Sequence, residues 1–411
     1  MIWTRKLDGE SMAGRLRIAH AIRAALTGWA DLTLLRLPTP LTDRSLKRAL
    51  RSALAFAGSL ARGPVLPLQC ALFASRTDHE RVFAAIPVDA TSIYLDGVRS
   101  YALLAYLRKR RPDLRVVVDL DDLMSRRMEL LLESGQPLSP GYLTKHLPGV
   151  VKRLVMSRAL GALIVQYERV TLRRIERQLA QLADVLVLLS SEDAKMLRAL
   201  CAQGPAPRAA IEVIPPGVEP KQAPRPLEGP VRFVFIGSDA LTQNRLTIDY
   251  LVELWRRHEI ETPLVFFGLQ LRSLDLPPAA SVAGYVDQIS DVYDGRSVLL
   301  TPSMIGGGVK TKVLEAFAYG APVIGNALTF ESMPLETAYP LNLADEAALV
   351  EILRQPQAHL ALFDQAAQAG ADYLARHHSP AVFAERWRRV MEPDYRAAET
   401  EAEAESGETH A

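Results

Sequence analysis

The sequence predicts an α/β protein of two domains, each built on a parallel sheet. Three observations carry this reading. The chain has 411 residues, more than a single hydrophobic core usually serves. Short runs rich in Val, Leu and Ile alternate with stretches of helical period, the pattern of right-handed βαβ units. A stretch with six prolines, "IEVIPPGVEPKQAPRPLEGP" (211–230), interrupts that alternation, which then starts again.

Taken in order, a first strand precedes a glycine-containing loop that holds Asp8, and "RLRIAHAIRAAL" reads as the first helix. "DLTLLRL" (31–37), "TSIYLDG" (91–97), "LRVVVDLDD" (114–122) and "DVLVLLS" (184–190) read as buried strands ending in turn or cap residues. "RSYALLAYLRKRR" and "ERVTLRRIERQLAQLA" are helical stretches between them. After the proline-rich linker come strand "VRFVFIGS", helix "RLTIDYLVELWRRH", strand "TPLVFFG", strand "SVLLTPS", helix "KTKVLEAFAYG" and strand "APVIGN". Near the C-terminus, "SPAVFAERWRRVMEPDYRAA" places Val382, Phe383, Trp387 and Val390 at helical spacing. The expected division is 1–215, 216–378, a helix over 379–393, and an acidic, disordered tail over 394–411, "AAETEAEAESGETHA" at its core.

Composition narrows the class. Cys70 and Cys201 are the only cysteines, far apart in sequence, which argues against a disulfide framework and a cysteine metal site and fits a reducing cytoplasm. Apolar runs fall short of the ~18 residues of a membrane span, and "MIWTRKLDGESMAG" lacks a signal-peptide core. Net charge is +1, unevenly spread. Residues 1–215 hold 32 Lys and Arg against 20 Asp and Glu; residues 216–411 hold 16 against 27. A basic half and an acidic half suggest different partners. "LRKRRPDLR" (107–115) and the segment 145–174 mix cations with apolar residues, which suits an anionic bilayer or a lipid-linked diphosphate. Few aromatics and no base-stacking module argue against nucleic acid.

The chemistry concentrates in "TPSMIGGGVKTKVLEAFAYGAPVIGN" (301–326). A loop with Gly306, Gly307 and Gly308 leaves the carboxyl end of a strand and opens a helix, where ligands of parallel sheets bind. Glycines admit an anion close to the backbone, and a helix N-terminus favours negative charge. Lys312 and Glu315 share a helix face, so a cation could grip a diphosphate and a carboxylate a ribose diol. Two other phosphate motifs fail: Val309 separates Gly308 from Lys310, which breaks a P-loop, and no Gly-x-Gly-x-x-Gly follows the first strand of either domain.

"GGGVKTKVLEAFAYGAPVIGN" resembles the donor-site signature of GT-B glycosyltransferases, in particular the large retaining group (family 4-like) that builds bacterial polysaccharides. "ADVLVLLSSEDAKML", "IEVIPPGVE", "VRFVFIGS" with "QNRLTIDYLVELW", and "VAGYVDQISDVYDGRSVLLTPS" agree in order, from about 184 to 326. "VVVDLDDLMSRR" resembles the acceptor-domain strand of the same group. The resemblance implies two Rossmann-like domains facing across a cleft, with the C-terminal helix crossing back to the N-terminal, acceptor-binding one. It implies transfer of a sugar from a UDP- or GDP-sugar to a polysaccharide or lipid-linked saccharide, without metal or other cofactor. By the resemblance, Glu315 binds ribose, Lys312 stabilises the leaving diphosphate, and Gly306, Gly307 and Gly308 line the phosphates and sugar. Tyr285 and Val286 sit where the base is held; Gly237 lies in the loop after the domain's first strand, and Arg245 lies near where a phosphate-binding cation stands. The group typically has Glu at the position of Gly307, a departure that bears on stereochemistry and sugar contact.

The "DLDDLMSRR" segment is the candidate acceptor side, with Asp122 first, Asp119 second and Asp8 third as bases for an acceptor hydroxyl, and Arg126 beside them. Capping and pairing with Arg126 and Arg127 is the plainer alternative for these carboxylates. Asp119-Leu120-Asp121 matches the metal motif of a different glycosyltransferase fold and is not read as a metal site. A sugar-nucleotide epimerase or a non-catalytic binding subunit of the same fold is the alternative, although an inactive copy would have no need of both Lys312 and Glu315. Cytoplasmic location, with peripheral contact on the inner face of the plasma membrane, is expected.

Overall fold

The computed structural model describes residues 1–4, 15–40, 45–133, 158–333 and 339–392. Asp8, most of the basic stretch before residue 158, and the acidic tail over 394–411 lie outside the described residues. The chain forms two compact units: Met1–Pro215 with the chain from Phe383 onward, and Pro216–Val382.

The first unit is built on a six-stranded sheet of order β2-β1-β3-β4-β5-β6, with every neighbouring pair parallel. Its strands are β1 (Ile2–Trp3), β2 (Leu35–Arg36), β3 (Ser92–Asp96), β4 (Arg115–Asp121), β5 (Val185–Leu188) and β6 (Ala210–Val213). Val116 to Val118 and Val185 to Leu188 are buried on alternate faces alike. Helices cover both faces of a parallel sheet, so its central strands are continuous rather than alternating apolar runs. The proline-rich segment expected as linker from 211 begins inside this sheet. Residues 211–213 belong to β6, whose four residues are only half-buried and so lack a buried strand's signature.

The C-terminal helix Pro380–Met391 belongs mostly to this first unit. Its apolar stripe of Phe383, Trp387 and Val390 is buried. Trp387 lies 5.6 Å from the Tyr94 ring of β3, which in turn lies 4.7 Å from Trp3 of β1. Ser92 Oγ and Arg115 Nε donate to the last-turn carbonyls of Met391 and Val390 at 2.7 and 2.8 Å. These bonds occupy carbonyls that a helix end otherwise leaves without partners.

The second unit has a five-stranded parallel sheet of order β11-β10-β7-β8-β9. The strands are β7 (Arg232–Ile236), β8 (Leu264–Phe267), β9 (Ala280–Gly284), β10 (Ser297–Leu300) and β11 (Val323–Ile324). β9 was not expected: it is an edge strand whose central residues are exposed, and the sequence there has no apolar run. The first strand of the unit, β7, lies between β8 and β10. The strand order therefore reverses at β7 and β10, where open α/β sheets leave a crevice at their carboxyl ends.

Candidate functional site

Two loops leave that reversal point. One follows β7 through Gly237 and Ser238 to the helix Thr242–Arg257. The other follows β10 and runs through Gly306, Gly307 and Gly308 to the helix Thr311–Ala318. Gly307 and Gly308 have φ of 100° and 66°, in the left-handed region where a Cβ would be strained. Lys310 occupies the N-cap position of this helix without a side-chain cap bond.

The two loops are tied by Lys312. Its Nζ donates to Asn244 Oδ1 at 3.0 Å and lies 4.0 Å from the centre of the buried Phe235 ring of β7. Asn244 Nδ2 in turn donates to the Ser238 carbonyl at 3.0 Å. A Cβ at Gly237 would come within 2.6 Å of that amide, which explains the glycine. Lys312 as a whole is half-buried, and its ammonium end is enclosed over Phe235. Burial first and Lys310 second lower its pKa to about 7, with Glu315 opposing them. An enclosed amine with a pKa near 7 gains its proton when negative charge arrives beside it, which suits it to an anionic ligand.

On the other side of the glycine loop stands a residue that the sequence did not single out. The Glu331 carboxylate accepts the N–H of Gly307. A Cβ at Gly306 would come within 2.9 Å of both its oxygens. Glu331 follows the short helix Ala327–Phe330, which a reciprocal Asn326–Thr329 capping box fixes. Asn326 and Thr329 also hold the start of the β10 loop: Ser303 N–H donates to Asn326 Oδ1 at 3.2 Å, and Asn326 Nδ2 to Ser303 O at 2.9 Å. Lys310 Nζ donates to the Gly307 carbonyl at 2.6 Å. The loop is thus held on both sides by side chains. Asp239 braces the loop after β7 by accepting the N–H groups of Leu271 and Arg272 at 2.8 and 3.0 Å. Burial of Asp239 would raise its pKa, but these bonds and the Arg272 side chain lower it overall.

The structure therefore brings together Gly237, Gly306, Gly307, Gly308 and Lys312, with Glu315 one turn along the same helix. Glu315 is half-buried and close enough to act on the buried Tyr293 hydroxyl, whose pKa is raised first by burial and then by this carboxylate. Arg245 lies in the first turn of the helix that carries Asn244. Tyr285 and Val286 follow β9, at the other end of the sheet from β11; Tyr285 is 76% exposed, open for a planar ligand to cover. Sequence reasoning missed Asn244, Lys310's backbone role, Asp239 and Glu331. Asn244 carried a signal, a polar residue in the first turn after the loop of β7. Glu331 carried none, because its contact spans 24 residues.

In the first unit, β4 ends in an irregularity between Asp119 and Asp121, and Asp121 has φ of 69°. Strained backbone of this kind gathers at functional strand ends. Asp119, the second of the expected bases, lies in the interior. It is wholly buried, with Tyr94 Oη donating to it at 2.7 Å and the Asp121 N–H at 3.1 Å, so its carboxylate holds the strand end together. Asp122 is half-buried and pairs with Arg127. Arg126 pairs with the buried Asp193 at 3.1 Å. Among the described residues, no group of three or more His, Cys, Asp or Glu could hold a metal ion.

Comparison with known proteins agrees with the fold. Residues 230–355 match the family model "Glycosyl transferases group 1". No curated protein matches. Among solved structures, the chain is similar to a sucrose-phosphate synthase from Thermosynechococcus elongatus: TM-score 0.60, 16% identity, 97% of this chain and 98% of that one. It is similar to E. coli trehalose-6-phosphate protein bound with UDP-2-fluoro glucose: TM-score 0.56, 13% identity, 94% and 97% coverage. It is also similar to the lipopolysaccharide outer core galactosyltransferase WaaB: TM-score 0.53, 12% identity, 95% and 97% coverage.

Proposed function

We propose, for a chain of GT-B fold whose residues 230–355 match the group 1 glycosyltransferase family model, that it transfers a sugar from a nucleoside diphosphate sugar to a saccharide or lipid-linked acceptor. One observation carries the reading. At the point where the strand order reverses, a glycine loop and two lysines are flanked by two carboxylates, Glu315 and Glu331. A diphosphate sugar has the matching order of groups: a diol, then phosphates, then a second polyol.

In this reading Glu315 accepts from the ribose hydroxyls, and Lys312 meets the diphosphate. As the bond between sugar and phosphate oxygen breaks, negative charge grows on the departing diphosphate. Lys312, protonated by that charge, and the N–H groups of the glycine loop stabilise it. Gly307 brings no carboxylate of its own, but Glu331 brings one to the same peptide from another element. Its alignment along the Gly307 N–H suits it to accept from hydroxyls of the transferred sugar. Tyr285 and Val286 would cover the base, and Arg245 would add charge near the phosphates. Asp122, directly after the strained end of β4, is the favoured base for an acceptor hydroxyl in the first unit. The UDP-sugar analogue on the E. coli neighbour makes UDP-sugars the first donors to test.

The test is a transfer assay with UDP- and GDP-hexoses, scoring nucleotide release with and without saccharide or lipid-linked acceptors. Acceptor-dependent release with one donor supports transfer. Tight nucleotide binding with no release under any acceptor supports a non-catalytic binding subunit, and interconversion of free sugar nucleotides supports an epimerase.

A further inference from the structure

The first unit holds a cavity of about 690 Å³ that the site above does not use. It lies where the helices Met124–Glu133, Arg158–Leu182 and Ser191–Cys201 meet. Two walls follow from helical spacing. Val170, Arg173, Arg174 and Arg177 present one face of the long helix, and Met196 and Leu200, four apart, present one face of the next.

Its charges are unbalanced. Arg126 is paired with Asp193, and Arg173 with Glu129 at 2.8 Å. Among the described residues, Arg174 and Arg177 lie in no ion pair, and Glu129 is the single acidic residue of the lining. Two unmatched guanidinium groups three residues apart make a fork for an oxyanion with several oxygens. The remaining wall is mainly apolar, with Ser125, Thr171 and Gln203 as its neutral polar members, and Val170 stays 56% exposed beside the arginines. A small soluble anion would leave that apolar wall wet, whereas an anion carrying a hydrocarbon chain would match both parts.

We propose that this cavity binds the phosphate head of a long-chain lipid phosphate, with the anion between Arg174 and Arg177 and the chain against Val170, Met196 and Leu200. The inference deepens the proposed function, in that it names a lipid-borne phosphate as the acceptor's handle, and it rests on that reading for the handle's use but not for its binding. The site fixes the lipid by its charged end, so a saccharide attached beyond the phosphate remains free.

Calorimetry on the full chain tests this with farnesyl monophosphate below its aggregation concentration, farnesol and inorganic phosphate. The expected result is binding of farnesyl monophosphate at least about tenfold tighter than either of the other two. Arg174→Gln with Arg177→Gln should weaken it by about 30-fold or more, as loss of two charge-assisted contacts requires. Leu200→Ala should weaken it while inorganic phosphate binding stays as it was. Equal affinity for inorganic phosphate, or farnesyl monophosphate affinity unchanged in the double variant, overturns the proposal. UDP titrated into the same double variant keeps the two readings apart: unchanged UDP binding with lost farnesyl phosphate binding supports the cavity site, whatever the outcome of the transfer assay.

Discussion

Lys312 is the residue on which most of the donor-side account turns, and its proton affinity is testable without any ligand. Its folded pKa is about 7, below the free value of 10.5, so between those limits the unfolded chain binds more protons. Stability must then rise with pH across that window, and level off below 7 where both states hold the proton. The buried N-terminus, lowered to about 6, acts in the same sense near pH 7, while Glu176, raised to about 7, and above pH 9 the Cys70 thiol and raised tyrosines act in the opposite sense, so the Lys312 part is read between pH 7 and 9 as the difference from a variant without the amine. Urea denaturation at those two pH values should show wild type gaining stability relative to itself, and Lys312→Met should lose that gain. Identical pH slopes would mean the ammonium is not enclosed. Glu331 gives a second test at this scale. Glu331→Ala leaves the Gly307 N–H without its acceptor, whereas Glu331→Gln keeps an oxygen there. Loss of a charge-assisted hydrogen bond costs about 1.5–3 kcal/mol. UDP affinity should therefore fall roughly tenfold or more in the alanine variant and stay near wild type in the glutamine variant. Equal effects of the two would tie Glu331 to charge alone rather than to loop geometry.

At the scale of elements, β4, β5, β7, β8 and β10 were legible because helices cover both faces of their sheets, and the sequence must then run apolar without alternation. β6 and β9 were not legible. One is a half-buried edge whose residues merge with prolines, the other an edge strand with an exposed middle. The glycine loop with Lys312 and Glu315 could be read because all three lie on one contiguous strand–loop–helix segment. Asn244 and Glu331 could not, since their roles come from contacts across 68 and 24 residues that no local pattern records. The surroundings of Asp119 were not legible for a related reason: a carboxylate at a strand end looks the same in sequence whether it faces solvent or a buried tyrosine. The C-terminal helix was legible from its stripe, and its packing sets a prediction. Trp387 is wholly buried against Tyr94 and Phe383. Trp387→Ala should destabilise the first unit by about 3–5 kcal/mol, read as a lower urea midpoint by fluorescence. A midpoint within error of wild type would mean that the helix does not contribute to that unit's core.

For the whole molecule, the uneven charge takes on meaning once the units are assigned. Residues 1–215, the basic half, form most of the unit with the arginine-lined cavity, and the acidic half contains residues 230–355, which match the glycosyltransferase family model. No helix among the described residues is long and apolar enough to cross a membrane. A basic unit with an anion-binding cavity suits docking on an anionic surface, each cation near it adding about 1 kcal/mol and salt screening that part. Co-sedimentation with liposomes should therefore show binding to anionic vesicles that weakens as salt rises, and little to neutral ones. Equal binding to both at low salt would make the basic face an ordinary solvated surface.

The central claim is that the reversal point of the second sheet binds a nucleoside diphosphate through Lys312 and Glu315. Titration of UDP and GDP by calorimetry into wild type, Lys312→Ala and Glu315→Ala, each checked for an intact fold, tests it most directly. The account predicts a measurable affinity for one of the two nucleotides, weakened about tenfold or more in each variant. Run at pH 8 in two buffers of different ionisation enthalpy, the wild-type titration should also show uptake of up to about one proton, because the bound diphosphate raises the Lys312 pKa. Affinity for both nucleotides unchanged in the two variants, with no proton uptake, would contradict it.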